Sequence, residues 1–137
     1  MSIEYRDQMP TREQFSMLFE TTGWNSGYQA APEELIRAVA NSQFVVAAYD
    51  AENLVGFGRV VTDSVLHAMI YDLIVHPSYQ GHGIGTQILV TLISNCHAMN
   101  IRDVQLFCAA GKRAFYERRG FQARSEDAPG MQYRQKS

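Results

Sequence analysis

Cysteine is scarce in this 137-residue chain. There are two, Cys96 and Cys108, with no C-x-x-C spacing and no histidine cluster beside either. That excludes a disulfide scaffold and a zinc ribbon, and both thiols are expected to be free and buried, as in a reducing compartment. No metal site is expected. Charge is also sparse: Asp, Glu, Lys and Arg make up 19% of residues, with a formal net charge of −2 and a pI near 6.0. No basic field is present to hold nucleic acid. Basic residues crowd together only at Lys112, Arg113, Arg118 and Arg119, which read as a solvated helix face. Long apolar runs are missing as well, since Phe44 to Ala48 and Leu73 to Val75 are far too short to cross a bilayer. Ser2 to Asp7 lacks the apolar core of an export signal. The expectation is a cytoplasmic protein without a nucleic-acid or membrane partner.

What is present describes one folded domain over residues 1–137, with 46% apolar residues to bury. Ser2 to Arg6 alternates and reads as a short strand. Thr11 with Gln14 forms a capping box ahead of the apolar stripe Phe15, Leu18, Phe19. The turn-rich Thr21 to Tyr28 contains the single tryptophan. Pro32-Glu33-Glu34 opens a second helix in the preferred way, with Leu35, Ile36 and Val39 as its buried face. Phe44–Tyr49 and Leu54–Val61, separated by the polar Asp50 to Asn53, form a hairpin. Leu66 to Val75 is apolar enough to be a central strand buried on both faces. A helix with the stripe Ile84, Ile88, Leu89, Leu92, Ile93 leads to a parallel strand, Val104–Cys108. Gly111–Arg119 is then a short helix closed by Gly120, and Met131–Arg134 reads as a last strand.

The chain's chemistry concentrates where the central strand meets its helix, at Gln80-Gly81-His82-Gly83-Ile84-Gly85-Thr86. Alternating glycines let a backbone approach an anion closely, and the first turn of the helix supplies N–H donors backed by the helix dipole. A P-loop would need Lys-Ser/Thr after the last glycine, and here Ile84-Gly85-Thr86-Gln87 follows. A dinucleotide fingerprint needs G-x-G-x-x-G and an acidic residue ending a second strand about 20 positions on, and neither is present.

The hexad reads as Q/R-x-x-G-x-G. With Leu73-Ile74-Val75-His76-Pro77 before it and Ala114-Phe115-Tyr116-Glu117-Arg118-Arg119-Gly120-Phe121 downstream, it resembles the GNAT superfamily of acetyl-CoA-dependent N-acetyltransferases. More narrowly, Ile70-Tyr71-Asp72, Pro77 to Gly81 and Gly130 to Tyr133 resemble the branch containing plastid and bacterial arylalkylamine or lysine acetyltransferases. The resemblance implies an α/β fold with a mixed, centrally splayed β-sheet flanked by helices, and acetyl-CoA as cosubstrate. It implies that the pyrophosphate lies against Gln80, Gly81, His82, Gly83, Ile84, Gly85 and Thr86. It also implies that pantetheine pairs with the backbone of Leu73 and Val75, and that Tyr116 protonates the leaving thiolate. A phenol with pKa of about 10 suits an alkyl thiol.

Many relatives carry a glutamate where this chain has Met69, so that version of a catalytic base is absent. Asp72, the one carboxylate in an apolar strand, is open to two roles: a desolvated base, or a structural acceptor. His67 lies further from the glycine loop. Trp24 and Tyr28 are candidates to wall an amine acceptor, favouring an arylalkylamine over a peptidyl lysine. A non-catalytic acetyl-CoA sensor remains the alternative from another class. The expected partner is a small-molecule amine, and a homodimer is left open beside a monomer.

Overall fold

The computed structural model describes residues 1–134. They divide into two compact units, Met1–Phe107 and the segment from Cys108 onward.

In the first unit five strands lie side by side in chain order: β1 (Ile3–Arg6), β2 (Phe44–Asp50), β3 (Asn53–Thr62), β4 (His67–Val75) and β5 (Asp103–Leu106). The first three junctions are antiparallel and the last is parallel. A parallel pair needs a long crossover, which α4 (Ile84–Ala98) provides. The sheet is thus mixed, as expected.

Alternation along β3 assigns its two faces. Phe57 enters a core with Phe15, Leu18 and Phe19 of α1 (Arg12–Glu20) and Leu35 and Val39 of α3 (Pro32–Ala40). Its neighbours Gly56 and Gly58 face α4 instead: a Cβ at Gly56 would stand 2.9 Å from Ile84 Cγ2, and one at Gly58 2.8 Å from Leu92 Cδ1. These glycines let α4 sit directly on the strand, and Ile84, Ile88, Leu89, Leu92 and Cys96 are its buried side. Helix α1 begins as the sequence indicates. Thr11 Oγ1 accepts from Gln14 N at 3.1 Å, and the Gln14 side chain accepts from Thr11 N at 2.9 Å, a cap worth about 1 kcal/mol.

Three expectations are corrected. Strand β4 is central but not buried on both faces, since Tyr71 is 38% exposed and His67 is exposed. Strand β5 ends at Leu106, so Cys108 falls outside it, and its thiol is exposed rather than buried. Met131 to Arg134 forms no strand. Met131 and Tyr133 are exposed there, and alternation makes a strand only where a neighbour takes up its backbone groups.

The second unit carries α5 (Arg113–Glu117). Gly120, at φ +92°, ends its last turn, with Gly120 N donating to Glu117 O and Phe121 N to Tyr116 O. Phe121 packs against Tyr116, ring centroids 5.9 Å apart.

Candidate active site

The site is built from the bottom of β4 upward. Phe57 pairs with Ile74 and Arg59 with Tyr71, so Asp72 and Leu73 together oppose the single residue Gly58. That is a β-bulge, and its first residue, Asp72, has a left-handed backbone at φ +56°. On the other edge, pairing with β5 stops at Ile70 opposite Leu106. From Tyr71 on, β4 therefore has no β5 partner, which is the splay that the sequence could not show. Leu73 and Val75 lie in this segment, half-buried. The backbone there is placed to pair with an amide-bearing chain.

Above β4, three contacts fasten the glycine loop. His76 N donates to Val55 O at 2.8 Å, the Tyr79 hydroxyl donates to Asp50 Oδ2 at 2.5 Å, and Gln80 Nε2 donates to Val75 O at 3.2 Å. Gln80 thus braces the loop against the strand, and it shares the Val75 carbonyl that was expected for pantetheine. A carbonyl has two lone pairs, so the second is left for a ligand.

Gly81 and Gly83 have φ of +82° and +81°. A Cβ at either would meet nothing within 4 Å, so the space over the loop is open. Gly83 is the N-cap of α4, no side chain caps that terminus, and no carboxylate sits in its first turn. The first helical bond is Gln87 N to Gly83 O at 3.0 Å, so the N–H groups of Ile84 and Gly85 have no acceptor within the helix. An uncapped fifteen-residue helix behind two left-handed glycines fits a pyrophosphate. Only the backbone of Ile84 is open to a ligand, because its side chain is core. Gly85 and Thr86 complete the first turn, and His82 is exposed on the loop.

The Asp72 carboxylate is paired. Its Oδ2 accepts from Arg59 Nε at 2.7 Å, and the two side chains are 20% and 14% exposed. Of its two open roles, the ion pair supports the structural one. Arg59 was missed from the sequence, although one signal existed: a single cation in an apolar strand and a single anion in the next. His67 lies beside Asp103, Nδ1 to Oδ2 3.6 Å, and Asp103 also accepts from Gln105 Nε2 at 2.8 Å. With Val61, Asp63 and Met69 they line a cavity of about 420 Å³ at the end of β4 away from the glycine loop.

Trp24 is 39% exposed and stands edge-on to Phe19, centroids 5.9 Å apart; Tyr28, 70% exposed, lies 6.4 Å from the same ring. The loop between them folds as α2 (Asn25–Tyr28). Together Trp24 and Tyr28 present aromatic surface anchored on a core phenylalanine.

In the second unit the Tyr116 phenol is pushed up to about 12, first by burial and then by the charge of Cys108. It stays protonated at any working pH. A donor at about 12 gives up its proton less readily than the ordinary phenol assumed from sequence, by about 1.4 kcal/mol per unit. Arg113 is engaged with Glu117 at 3.1 Å. Among the described residues no group of three metal-ligating side chains comes together, and no helix is long and apolar enough to cross a membrane.

These features coincide with a known family. The sequence matches the acetyltransferase (GNAT) domain over residues 9–129, and the chain belongs to that family. It is 29% identical over 105 residues to serotonin N-acetyltransferase 2, chloroplastic, of Oryza sativa subsp. japonica, covering 74% of this chain and 52% of that protein. It is 27% identical over 117 residues to histone acetyltransferase TAP1 of Glycine max, covering 77% and 51%. The chain spans about half the length of each of these two relatives. The GNAT family protein SP0256 from Streptococcus pneumoniae TIGR4 superposes with a TM-score of 0.83 at 28% identity, covering 99% of this chain and all of that one. The chain is a GNAT-type acetyltransferase domain.

Proposed function

We propose that this domain moves an acetyl group from acetyl-CoA directly to the nitrogen of a small primary amine with an aromatic body. The observation that carries the reading is one continuous β–loop–α unit. An unpaired, bulged strand edge runs into two left-handed glycines and an uncapped helix N-terminus.

Gly81, Gly83 and the first turn from Ile84 through Gly85 to Thr86 hold the pyrophosphate, and the backbone of Leu73 and Val75 orients the pantetheine arm. Bound acetyl-CoA supplies the activated acyl carbon. Tyr116, protonated throughout the working range, is the proton source for the departing thiolate; this assignment rests on its sequence context and its own environment. The amine enters uncharged, its nitrogen bonds the acyl carbon as the C–S bond breaks, and the proton it then loses to solvent balances the one solvent returns to Tyr116. Trp24 and Tyr28 offer flat apolar surface to the acceptor's body.

The test is free-thiol release from acetyl-CoA across a panel of arylalkylamines, aliphatic amines and lysine peptides. Fastest turnover with an arylalkylamine, together with a larger KM for that class in Trp24→Ala, supports the reading. Fastest turnover on a lysine peptide replaces the acceptor. Acetyl-CoA binding without thiol release from any amine makes the domain a sensor.

A further inference from the structure

The bulge in β4 depends on a pairing outside the acetyl-CoA cradle. Below the bulge, Ala68 and Ile70 are the buried positions of β4, and above it Ile74 joins Phe57 in the core under α1. Strict alternation would put Ile70, Asp72 and Ile74 on one face. Ile70 pairs with Val60 and Ile74 with Phe57, residues an odd number apart on β3 and therefore on opposite faces. The one extra residue reverses the parity of the strand. It brings Ile74 under α1 and turns Leu73 towards Gly58 on the α4 side.

The cost falls on Asp72. The first position of such a bulge, with φ near +60°, ordinarily belongs to glycine, and aspartate tolerates it better than most residues. Arg59 holds it there. Besides the Nε to Asp72 Oδ2 bond of 2.7 Å, Arg59 Nη1 donates to Ala38 O at 3.3 Å and to Ser42 Oγ at 3.4 Å, and the guanidinium lies 5.4 Å from the Tyr71 ring centroid. One side chain therefore joins the end of α3, the approach to β2, and the bulge. The left-handed residue sits where β4 has just lost β5 as a partner.

We propose that Arg59 is a positioning residue for acetyl transfer: by clamping Asp72 as the first residue of the bulge, it sets the backbone at Leu73 on the open edge of β4. Asp72 acts with it in the same capacity. The kinetic consequence rests on the acetyl-CoA reading above, whereas the conformational consequence does not.

The test compares the unliganded full chain, Arg59→Met, and Arg59→Met/Asp72→Gly by amide hydrogen exchange and by kcat and KM. Arg59→Met should speed exchange at Ile74 and at His76, whose N–H is held by Val55 O, by about tenfold or more and lower kcat by a similar factor, with the amine's KM little changed. The double variant should recover most of both losses, because glycine adopts the left-handed backbone unaided and no orphaned carboxylate remains. If Arg59→Met does not fold alone, the double variants with Gly and with Ala at position 72 decide, and the alanine form should exchange about tenfold faster there. Parental exchange in Arg59→Met overturns the proposal. So does a glycine double variant that recovers neither property, and one that recovers exchange without kcat would return Asp72 to the chemistry. A parent that acetylates no amine removes the functional reading and leaves the exchange comparison to decide this one.

Discussion

Gly83→Ala separates backbone strain from anion binding at the site that carries the function. Gly83 has φ +81° and caps α4, and a Cβ there would meet no atom of the protein within 4 Å. The protein itself therefore resists the methyl group only through its backbone, at about 1–2 kcal/mol for an L residue held left-handed. The methyl group would occupy the space in which a pyrophosphate approaches the N–H groups of Ile84 and Gly85. Losing one hydrogen bond to a charged oxygen is worth about 1.5–3 kcal/mol, which is roughly ten- to hundredfold in affinity. Gly23 provides the matching control, with φ +75° and again nothing within 4 Å. Gly23→Ala should lose the same stability and bind acetyl-CoA as the parent does. Urea unfolding measures the first quantity and titration calorimetry with acetyl-CoA the second. If both variants bind like the parent, or both weaken equally, the α4 terminus is not the phosphate cradle.

Tyr116→Phe should lower kcat by about a hundredfold with acetyl-CoA affinity unchanged, and parental turnover would make the phenol a packing group. Gly56→Ala should destabilise the fold by about 1–3 kcal/mol in urea. Its Cβ would lie 2.9 Å from Ile84 Cγ2 and Ile88 Cδ1 and 3.2 Å from Ala48 Cβ; a neutral result would mean that α4 yields to a methyl group. Stability should also fall on the alkaline side. The phenols of Tyr5, Tyr49 and Tyr116 are raised chiefly by burial, and that of Tyr79 by its bond to Asp50. Each contribution is complete below the unfolded value of about 10 and is lost as pH rises through the folded one, about 12 for Tyr116. The urea midpoint should therefore decline through that window, and Tyr116→Phe should flatten part of the decline.

Local signals were legible wherever one residue type has one physical use. Thr11 and Gln14 announce a capping box because both side chains reach the orphan N–H groups of a first turn, and they do so. The glycines at 81 and 83 announce left-handed backbone, which they adopt. β-Rich runs on either side of a polar turn located β2 and β3 to within a residue. Gly56 and Gly58 carried a signal of the same kind that went unread, two glycines two apart on one face of a strand, where α4 comes closest. By contrast, the aspartate and leucine that make the bulge have many uses, and nothing in Tyr71-Asp72-Leu73-Ile74 distinguishes an extra residue from a continuous strand. The bulge is a property of the ladder between β3 and β4 and exists only once both are paired. The exposure of Cys108 likewise depends on where pairing with β4 stops, and that lies in the register.

The same register links the splay to the core. With the extra residue at Asp72, β4 presents Ile70 to one face and Ile74 to the other, so Ile74's place in the core under α1 requires the irregularity. Hydrophobic packing therefore supports the strained residue. At roughly 1.5–3 kcal/mol for a fully buried isoleucine, Ile74 offsets the 1–2 kcal/mol that a left-handed aspartate costs. Arg59 then has little energy to supply and mainly selects direction. It holds the Asp72 carboxylate on the face shared with α3, and a strand that must bulge somewhere near Gly58 bulges at one residue. A clamp of this kind is seen in the exchange rate and turnover of a local segment sooner than in the midpoint of global unfolding, because what it removes is alternative registers of the same fold.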